Sequence, residues 1–295
     1  RKAVGLLAYL LIESDHAHSR EFLLGLLWPD LPTHAAQNNL RVTWAHLRKA
    51  LGTSDSGDQP HLIGDRIALR FNPLSDHELD VARFRTLTEA CRLHSHADQD
   101  ACAVCAARLM QALELARGDF LEEFSLGDCE QFDDWLLIQR QHIRLQVTSA
   151  LEQLAAFHER AGQLSEAESA VRRLLAYDPL SESAYRQLMR VLAGADQRSA
   201  ALDAYETCRR VLATELGLAP AVETVTLAEQ IRTHALLGSH VAHVDLPPVL
   251  TRFFGRQQES ARLVDFMSRR TVRLVTLAGP GGVGKTRLAI EVAHR

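Results

Sequence analysis

Ser165-Glu166-Ala167 with Ala170, and Ser199-Ala200-Ala201 with Ala204, stand 34 residues apart and carry alanine at matching offsets. That interval is the period of tetratricopeptide (TPR) repeats, helix–turn–helix units whose small residues let paired helices approach closely. A chain with this period folds as stacked helix pairs, because one pair alone cannot bury its apolar face. The surrounding sequence agrees. From Leu79-Asp80-Val81 onward, roughly 160 residues show helical spacing and little strand character. Asp128 to Ala161 reads as a loop followed by a long helix, with Trp135, Leu136, Ile138, Ile143, Leu145, Val147, Leu151 and Leu154 as core candidates. Asp178-Pro179 and Gly217-Leu218-Ala219-Pro220 are helix stops. No residue of this stretch is assigned a catalytic role.

Ahead of the repeats, the spacing predicts three helices. Leu6 to Ile12 is short and apolar; Ser19 to Trp28 opens on an N-cap serine with an acid in its first turn; a third helix runs from about Thr33 to Leu51 and closes at Gly52. In the third helix Leu40, Trp44, Leu47 and Leu51 form one apolar stripe. Opposite it lie Asn38, Val42, Ala45, His46 and Lys49, flanked by Arg41 and Arg48. This helix has three basic residues and no acidic one, although the whole chain carries a formal charge of -4. His61 to Arg70 then reads as a β-hairpin turning at Gly64-Asp65.

Three helices followed by a hairpin is the winged helix-turn-helix layout, in which the last helix lies in the major groove of double-stranded DNA and the wing touches the backbone or the adjacent minor groove. On that reading Arg41, Arg48, Lys49 and Arg66 contact phosphates, while Asn38, Asn39, Val42, Thr43 and His46 face base edges. The alternative is an amphipathic three-helix unit packed on another domain. Residues 1–72 hold eight Arg/Lys and seven Asp/Glu, so electrostatics alone leaves both open.

Near the other end, Gly279-Pro280-Gly281-Gly282-Val283-Gly284-Lys285-Thr286 fits the phosphate-binding loop pattern. The β-branched run Val272 to Ala278 before it reads as a buried parallel strand, and Arg287 to Ala293 after it as a helix. The residues expected around ATP or ADP are Gly279, Gly281, Gly282, Val283, Gly284, Lys285, Thr286 and Arg287. Glycines allow backbone N–H groups to turn toward the phosphates, Lys285 supplies a point charge, and the Thr286 hydroxyl is the candidate Mg²⁺ ligand. No acidic-tipped strand follows, so the nucleotide site is expected to be incomplete at Arg295.

Hydrophobic residues make up 46% and charged residues 24%, with mean hydropathy -0.11 and no apolar run long enough to span a bilayer. Five cysteines without framework spacing fit a reducing cytoplasm and no disulfide scaffold. Cys102-Ala-Val-Cys105 has no second pair and no histidine at ligand spacing by this reading. It is read as small buried helix residues rather than a metal or redox site. The 14 histidines form no ligand constellation on the same reading.

Several of these stretches resemble known families. Arg1-Lys2-Ala3, Ser19-Arg20-Glu21, Leu27-Trp28-Pro29-Asp30, Asn39-Leu40-Arg41 and His46 to Gly52 look like the DNA-binding domain of SARP-type bacterial transcriptional activators, whose family pattern has a basic residue where His46 stands. Tyr205 to Pro220 closely resembles the end of the bacterial transcriptional activator domain that follows that winged helix. Phe253-Phe254-Gly255-Arg256 with Glu259, ahead of the phosphate loop, is similar to the NB-ARC/STAND class of signal-transduction ATPases. That resemblance implies that Arg256 contacts the nucleotide. Together they imply a mainly α chain. Residues 1–77 would be a winged helix lacking the family's small N-terminal sheet, 78–238 a TPR-like activator domain, 239–250 a linker, and 251–295 the first strand, loop and helix of an α/β ATPase, truncated at both ends. The implied function is a cytoplasmic, promoter-binding transcriptional regulator with a nucleotide-controlled switch and no enzymatic role of its own. Its helical repeats would contact RNA polymerase or other proteins, or a second copy of the chain, and no membrane. The competing reading is a STAND-type, NTP-dependent assembly protein whose repeats bind partners without direct DNA readout.

Overall fold

A computed structural model describes residues 1–52, 59–95, 102–233, 255–267, 275–280 and 284–293. These form two units, Arg1–His234 and Ala235–Arg295.

The first unit begins with α1 (Lys2–Ile12), α2 (Arg20–Leu27) and α3 (Thr33–Ala50). The Ser19 hydroxyl accepts from the Phe22 backbone N–H at 3.1 Å, so the expected N-cap is in place. Two strands follow, β2 (Leu62–Gly64) and β3 (Ala68–Phe71), but the sheet has a third member that the sequence reading did not anticipate. Residues His18–Ser19 form β1, antiparallel to β3, with His18 opposite Leu69 and Ser19 opposite Ala68. The order is β1-β3-β2. The hairpin turns through Asp65–Ile67, one residue later than Gly64-Asp65, because Gly64 is still paired with Leu69.

Nine further helices are seen among the described residues: α4 (Asp80–Arg92), α5 (Ala103–Leu115), α6 (Glu130–Arg160), α7 (Leu164–Tyr177), α8 (Glu182–Gly194), α9 (Arg198–Glu215) and α10 (Val222–Arg232) in the first unit, with α11 (Gln257–Met267) and α12 (Lys285–Ala293) in the second. Helices α6 to α10 pack each on its neighbour in sequence, as a helical repeat requires. Ala167 and Ala201, the aligned small residues, are fully buried, and Ala170 and Ala204 nearly so. Replacing any of them by a larger side chain would force the packed helices apart. Helices α7 and α9 stop at Tyr177 and Glu215, directly before the expected breakers. Arg173 on α7 reaches back to the carbonyls of Leu113 (2.9 Å) and Ala116, satisfying acceptors at the end of α5.

Helix α6 is 31 residues long. Leu136, Val147, Leu151 and Leu154 are buried along it as expected, but Ile138 and Leu145 are 64% and 59% exposed, not core. They lie on its outer face with Leu137. Apolar residues occur nearly all round this helix, so spacing alone does not tell which side packs.

The winged helix has no core to itself. Leu6, Leu10, Leu27, Leu40, Leu69 and Phe71 share one cluster with Cys129, Phe132 and Leu136 from the start of α6. The Lys2 ammonium fastens the same junction, donating to the Leu27 carbonyl at 2.7 Å and to Asp128 Oδ1 at 2.8 Å. The expected boundary at residues 77 and 78 therefore falls inside one packed unit. No described helix is long and apolar enough to cross a membrane.

In the second unit, α11 packs on α12, with Leu288, Val292 and Ser260 buried. The strand expected over Val272–Ala278 is not formed where it is described: residues 275–278 carry no regular hydrogen-bonding pattern. A parallel strand needs neighbours for its backbone groups, and the described residues of this unit contain no strand to supply them.

Candidate nucleic-acid interface

Helix α3 has no Gly or Pro between Thr33 and Ala50 and enters from Pro32. Arg48 and Lys49 sit in its last turn, where positive charge complements the helix dipole. Its apolar stripe is buried against α1, α2 and the sheet: Ala36, Leu40, Trp44 and Leu47 are each less than a tenth exposed. The opposite side is open. Asn38, Arg41, Val42, Ala45, His46, Arg48 and Lys49 are all exposed, so most of the predicted contact set shares one accessible surface. Asn39 and Thr43 are only half-exposed and stand on its shoulder. With about 100° between successive residues, Thr43 lies closer to the Leu47 stripe than to the Val42 crest.

Within that surface Arg41 Nη2 donates to Asn38 Oδ1 at 2.9 Å. The contact orients the Asn38 amide so that its two N–H donors remain available. Val42 supplies an exposed apolar contact in the middle of the face, the kind that matches a thymine methyl.

The wing stands beside this helix. Asp65 Oδ1 accepts from the backbone N–H groups of Ala68 (2.8 Å) and Ile67 (2.7 Å), closing the turn. These two hydrogen bonds hold the Asp65 carboxyl below its usual pKa. Arg20 ties the turn to α2, its Nε donating to the Asp65 carbonyl and its backbone N–H to the Ile67 carbonyl, both at 2.8 Å. Arg66 and Ile67 are left exposed at the tip. At the wing's base Gly64 lies against Trp44 and Leu69: a Cβ there would stand 2.9 Å from Trp44 Cζ2 and 2.4 Å from Leu69 Cδ2. Only glycine fits the approach of wing to helix.

The expected nucleotide residues divide. Gly281, Gly282 and Val283 lie outside the described residues. Gly284 has φ +80, a conformation that favours glycine, and α12 begins at Lys285. Lys285 Nζ donates to the carbonyls of Gly279 and Pro280, both at 2.7 Å, folding its charge back over the loop. Thr286 and Arg287 are exposed on the first turn of α12. Arg256 is half-buried just before α11, where its carbonyl accepts from the Ser260 backbone N–H at 3.0 Å.

Around the Cys-x-x-Cys pair the structure corrects the sequence reading. Cys102 precedes α5 rather than lying inside it, and His94 Nδ1 comes within 3.5 Å of its sulfur and 3.3 Å of the Cys105 sulfur.

The described residues thus place three helices and a hairpin on one core with a run of stacked helices. The chain belongs to the bacterial transcriptional activator domain family, whose match covers residues 79–232. It is similar to the regulatory protein AfsR of Streptomyces coelicolor, 28% identical across 98% of this chain and 30% of that protein. The AfsR of Streptomyces griseus is 27% identical with the same coverage. The regulatory protein DnrI of Streptomyces peucetius is 27% identical over 71% of this chain and 75% of its own length. The chain therefore spans 30% of the length of the AfsR proteins and 75% of the length of DnrI. Among solved structures, Mycobacterium tuberculosis EmbR in complex with a low affinity phosphopeptide shares the fold. The TM-score is 0.60 at 24% identity, covering 79% of this chain and 59% of EmbR.

Proposed function

We propose that this chain is the DNA-binding and transmitting part of a transcriptional regulator, in which α3 reads the major groove of promoter DNA and the wing rests on the backbone. The observation that carries this reading is the division of α3 into a buried Leu40/Trp44/Leu47 stripe and an open face that has basic residues and no acidic one. Arg41, Arg48, Lys49 and Arg66 supply phosphate contacts, and Asn38, Val42 and His46 are the base-facing set. Membership of the activator-domain family supports the same reading. The test is titration of the chain against duplexes carrying candidate promoter sequences at several salt concentrations. The expected result is sequence-specific binding that weakens steeply with salt; equal affinity for promoter and random duplex defeats the proposal.

The helical repeats hold the winged helix through their shared core and offer a surface for RNA polymerase, another protein or a second copy of the chain. Residues 279–287 form part of a nucleotide-binding switch for ATP or ADP with Mg²⁺. Their chemistry fits the group: Gly284 takes a positive φ, the Lys285 ammonium is held over the loop carbonyls, and the Thr286 hydroxyl is open to solvent. Bound nucleotide would supply phosphate charge and a metal ion to this loop, and Lys285 and Thr286 would bind and orient them. Binding would then bias the regulator between two states. In the full-length regulator, DNA affinity or oligomeric state unchanged by nucleotide, or by Lys285→Ala, overturns that part.

A further inference from the structure

Cys91, His94, Cys102 and Cys105 follow the pattern Cys-x2-His-x7-Cys-x2-Cys, two pairs of soft ligands each separated by two residues. The first pair closes α4 and the second opens α5, and these two helices pack against each other. Their approach brings three ligand atoms together: His94 Nδ1, Cys102 Sγ and Cys105 Sγ lie within 4.8 Å of one another. The His94 nitrogen is 3.3 Å from the Cys105 sulfur and 3.5 Å from the Cys102 sulfur. In a tetrahedral zinc site, with Zn–S about 2.3 Å and Zn–N about 2.0–2.1 Å, neighbouring sulfur and nitrogen atoms stand about 3.5 Å apart. The observed separations already match that spacing.

Cys91 stands next to that group of three without being part of it. It is buried, and its sulfur is 3.6 Å from the Cys105 carbonyl oxygen, while the Cys105 sulfur is 3.9 Å from the Cys91 carbonyl, so a small movement of its side chain would bring a fourth ligand. Arg108 Nη1 also ties α5 to α4, donating to the Ala90 carbonyl at 3.1 Å.

We propose that His94, Cys102 and Cys105, with Cys91 closing the fourth position, bind one zinc ion that clamps the end of α4 to the start of α5. The donor set selects for a soft or borderline cation over Mg²⁺ or Ca²⁺, which take oxygen ligands. The role is structural rather than catalytic. A site with four protein ligands leaves no position for substrate, and it contributes its binding energy to the fold that assembles it. Binding converts thiols to thiolates and releases their protons to solvent; no oxidation is involved.

The test uses the whole chain, purified under reducing conditions without a histidine tag. Its zinc content is measured directly, and the metal-stripped chain is titrated with Zn²⁺ alone and with Co²⁺ alone. The expected result is about one zinc per chain, with Co²⁺ giving the visible spectrum of a tetrahedral thiolate site. Cys102→Ser/Cys105→Ser should lose zinc and the cobalt spectrum, and His94→Ala and Cys91→Ser should each weaken zinc binding by about tenfold or more. If the double variant fails to fold, alkylation of Cys102 in the unaltered chain gives the answer: zinc should slow it about tenfold or more and a chelator should restore it. Absence of zinc uptake by the reduced chain overturns the proposal. So does unchanged zinc in the folded double variant, alkylation indifferent to zinc, or a Cys102–Cys105 disulfide that takes no metal after reduction.

Discussion

Trp135 Nε1 donates to Glu13 Oε1 at 2.9 Å, joining the long helix of the repeat domain to the end of the first helix of the winged module. The Tyr9 ring packs on the same indole, with centroids 4.9 Å apart. All three tryptophans, Trp28, Trp44 and Trp135, belong to this junction or pack against its core.

The shared core makes the winged helix and the repeats one folding unit. Urea unfolding of the chain followed by tryptophan fluorescence, which reports the junction, and by circular dichroism, which reports the repeats, should give coincident transitions over residues 1–234. Trp135→Ala should lower that unit's stability by about 2–3 kcal/mol, somewhat less than for a fully buried indole because Trp135 is half-exposed. Two separated transitions in the unaltered chain would contradict the shared core.

On the open face of α3, Arg41→Ala should weaken binding to specific and random duplex by a similar factor and reduce the salt slope by about one. Val42→Asp should do more, because it adds the only acid to a face that has none. Asn38→Ala should change which bases are preferred. Thr43→Ala should leave affinity nearly unchanged. Binding curves at four or more salt concentrations separate these outcomes.

The Lys2–Asp128 pair gives the junction a pH dependence with two limbs. The hydrogen bond from Lys2 is the main cause holding the Asp128 carboxyl below its usual range. Its stabilising effect is present above the ordinary aspartate pKa and is lost as pH falls through the depressed value. For Lys2, burial acts to lower the pKa, but hydrogen bonds to Asp128 and Cys129 outweigh it and leave the value raised. That contribution is full below the ordinary lysine pKa and is lost as pH rises through the raised one. Asp128→Asn should flatten the acid limb of a Tm-against-pH curve by lowering its neutral plateau, and only slightly, since the Asp128 side chain is 63% exposed.

Glu182 caps a helix that is not its own. Its Oε2 accepts from the Ala221 backbone N–H at 2.9 Å and from the Thr224 hydroxyl at 2.8 Å, where α10 starts without a side-chain cap of its own. Thr224 Oγ1 in turn accepts from Arg186 Nη1 at 3.0 Å. Glu182→Ala should cost about 1–2 kcal/mol, and amide hydrogen exchange should rise first in α10.

Much of this arrangement was legible in the sequence, and the misses have physical causes. Periodicity located α3 to within a residue, with its apolar stripe, because that helix has one buried side and one wet one. The alanine offset located the close helix pairs. β1 escaped because two residues carry no period, and their pairing partner, Leu69 and its neighbour, lies some fifty positions away. Ile138 and Leu145 were misassigned because α6 has apolar residues on several sides. His94 stands eight residues before Cys102 in sequence, a separation that is not itself a ligand spacing. The cluster exists only because α5 folds back on α4, a tertiary event that local spacing does not encode. At residues 275–278, the described part of the strand expected before the phosphate loop, no neighbouring strand is described to pair with, and no local pattern can supply one.

Gly64 sets a gauge. Trp44 and Leu69 fill the space a side chain there would need, so the base of the wing lies close against α3. Two contact points seated side by side measure a length along whatever they both touch. A duplex engaged by both must present its groove and its backbone in that phase, so one base pair inserted between the two contacts would forfeit one of them, whatever the sequence of the rest.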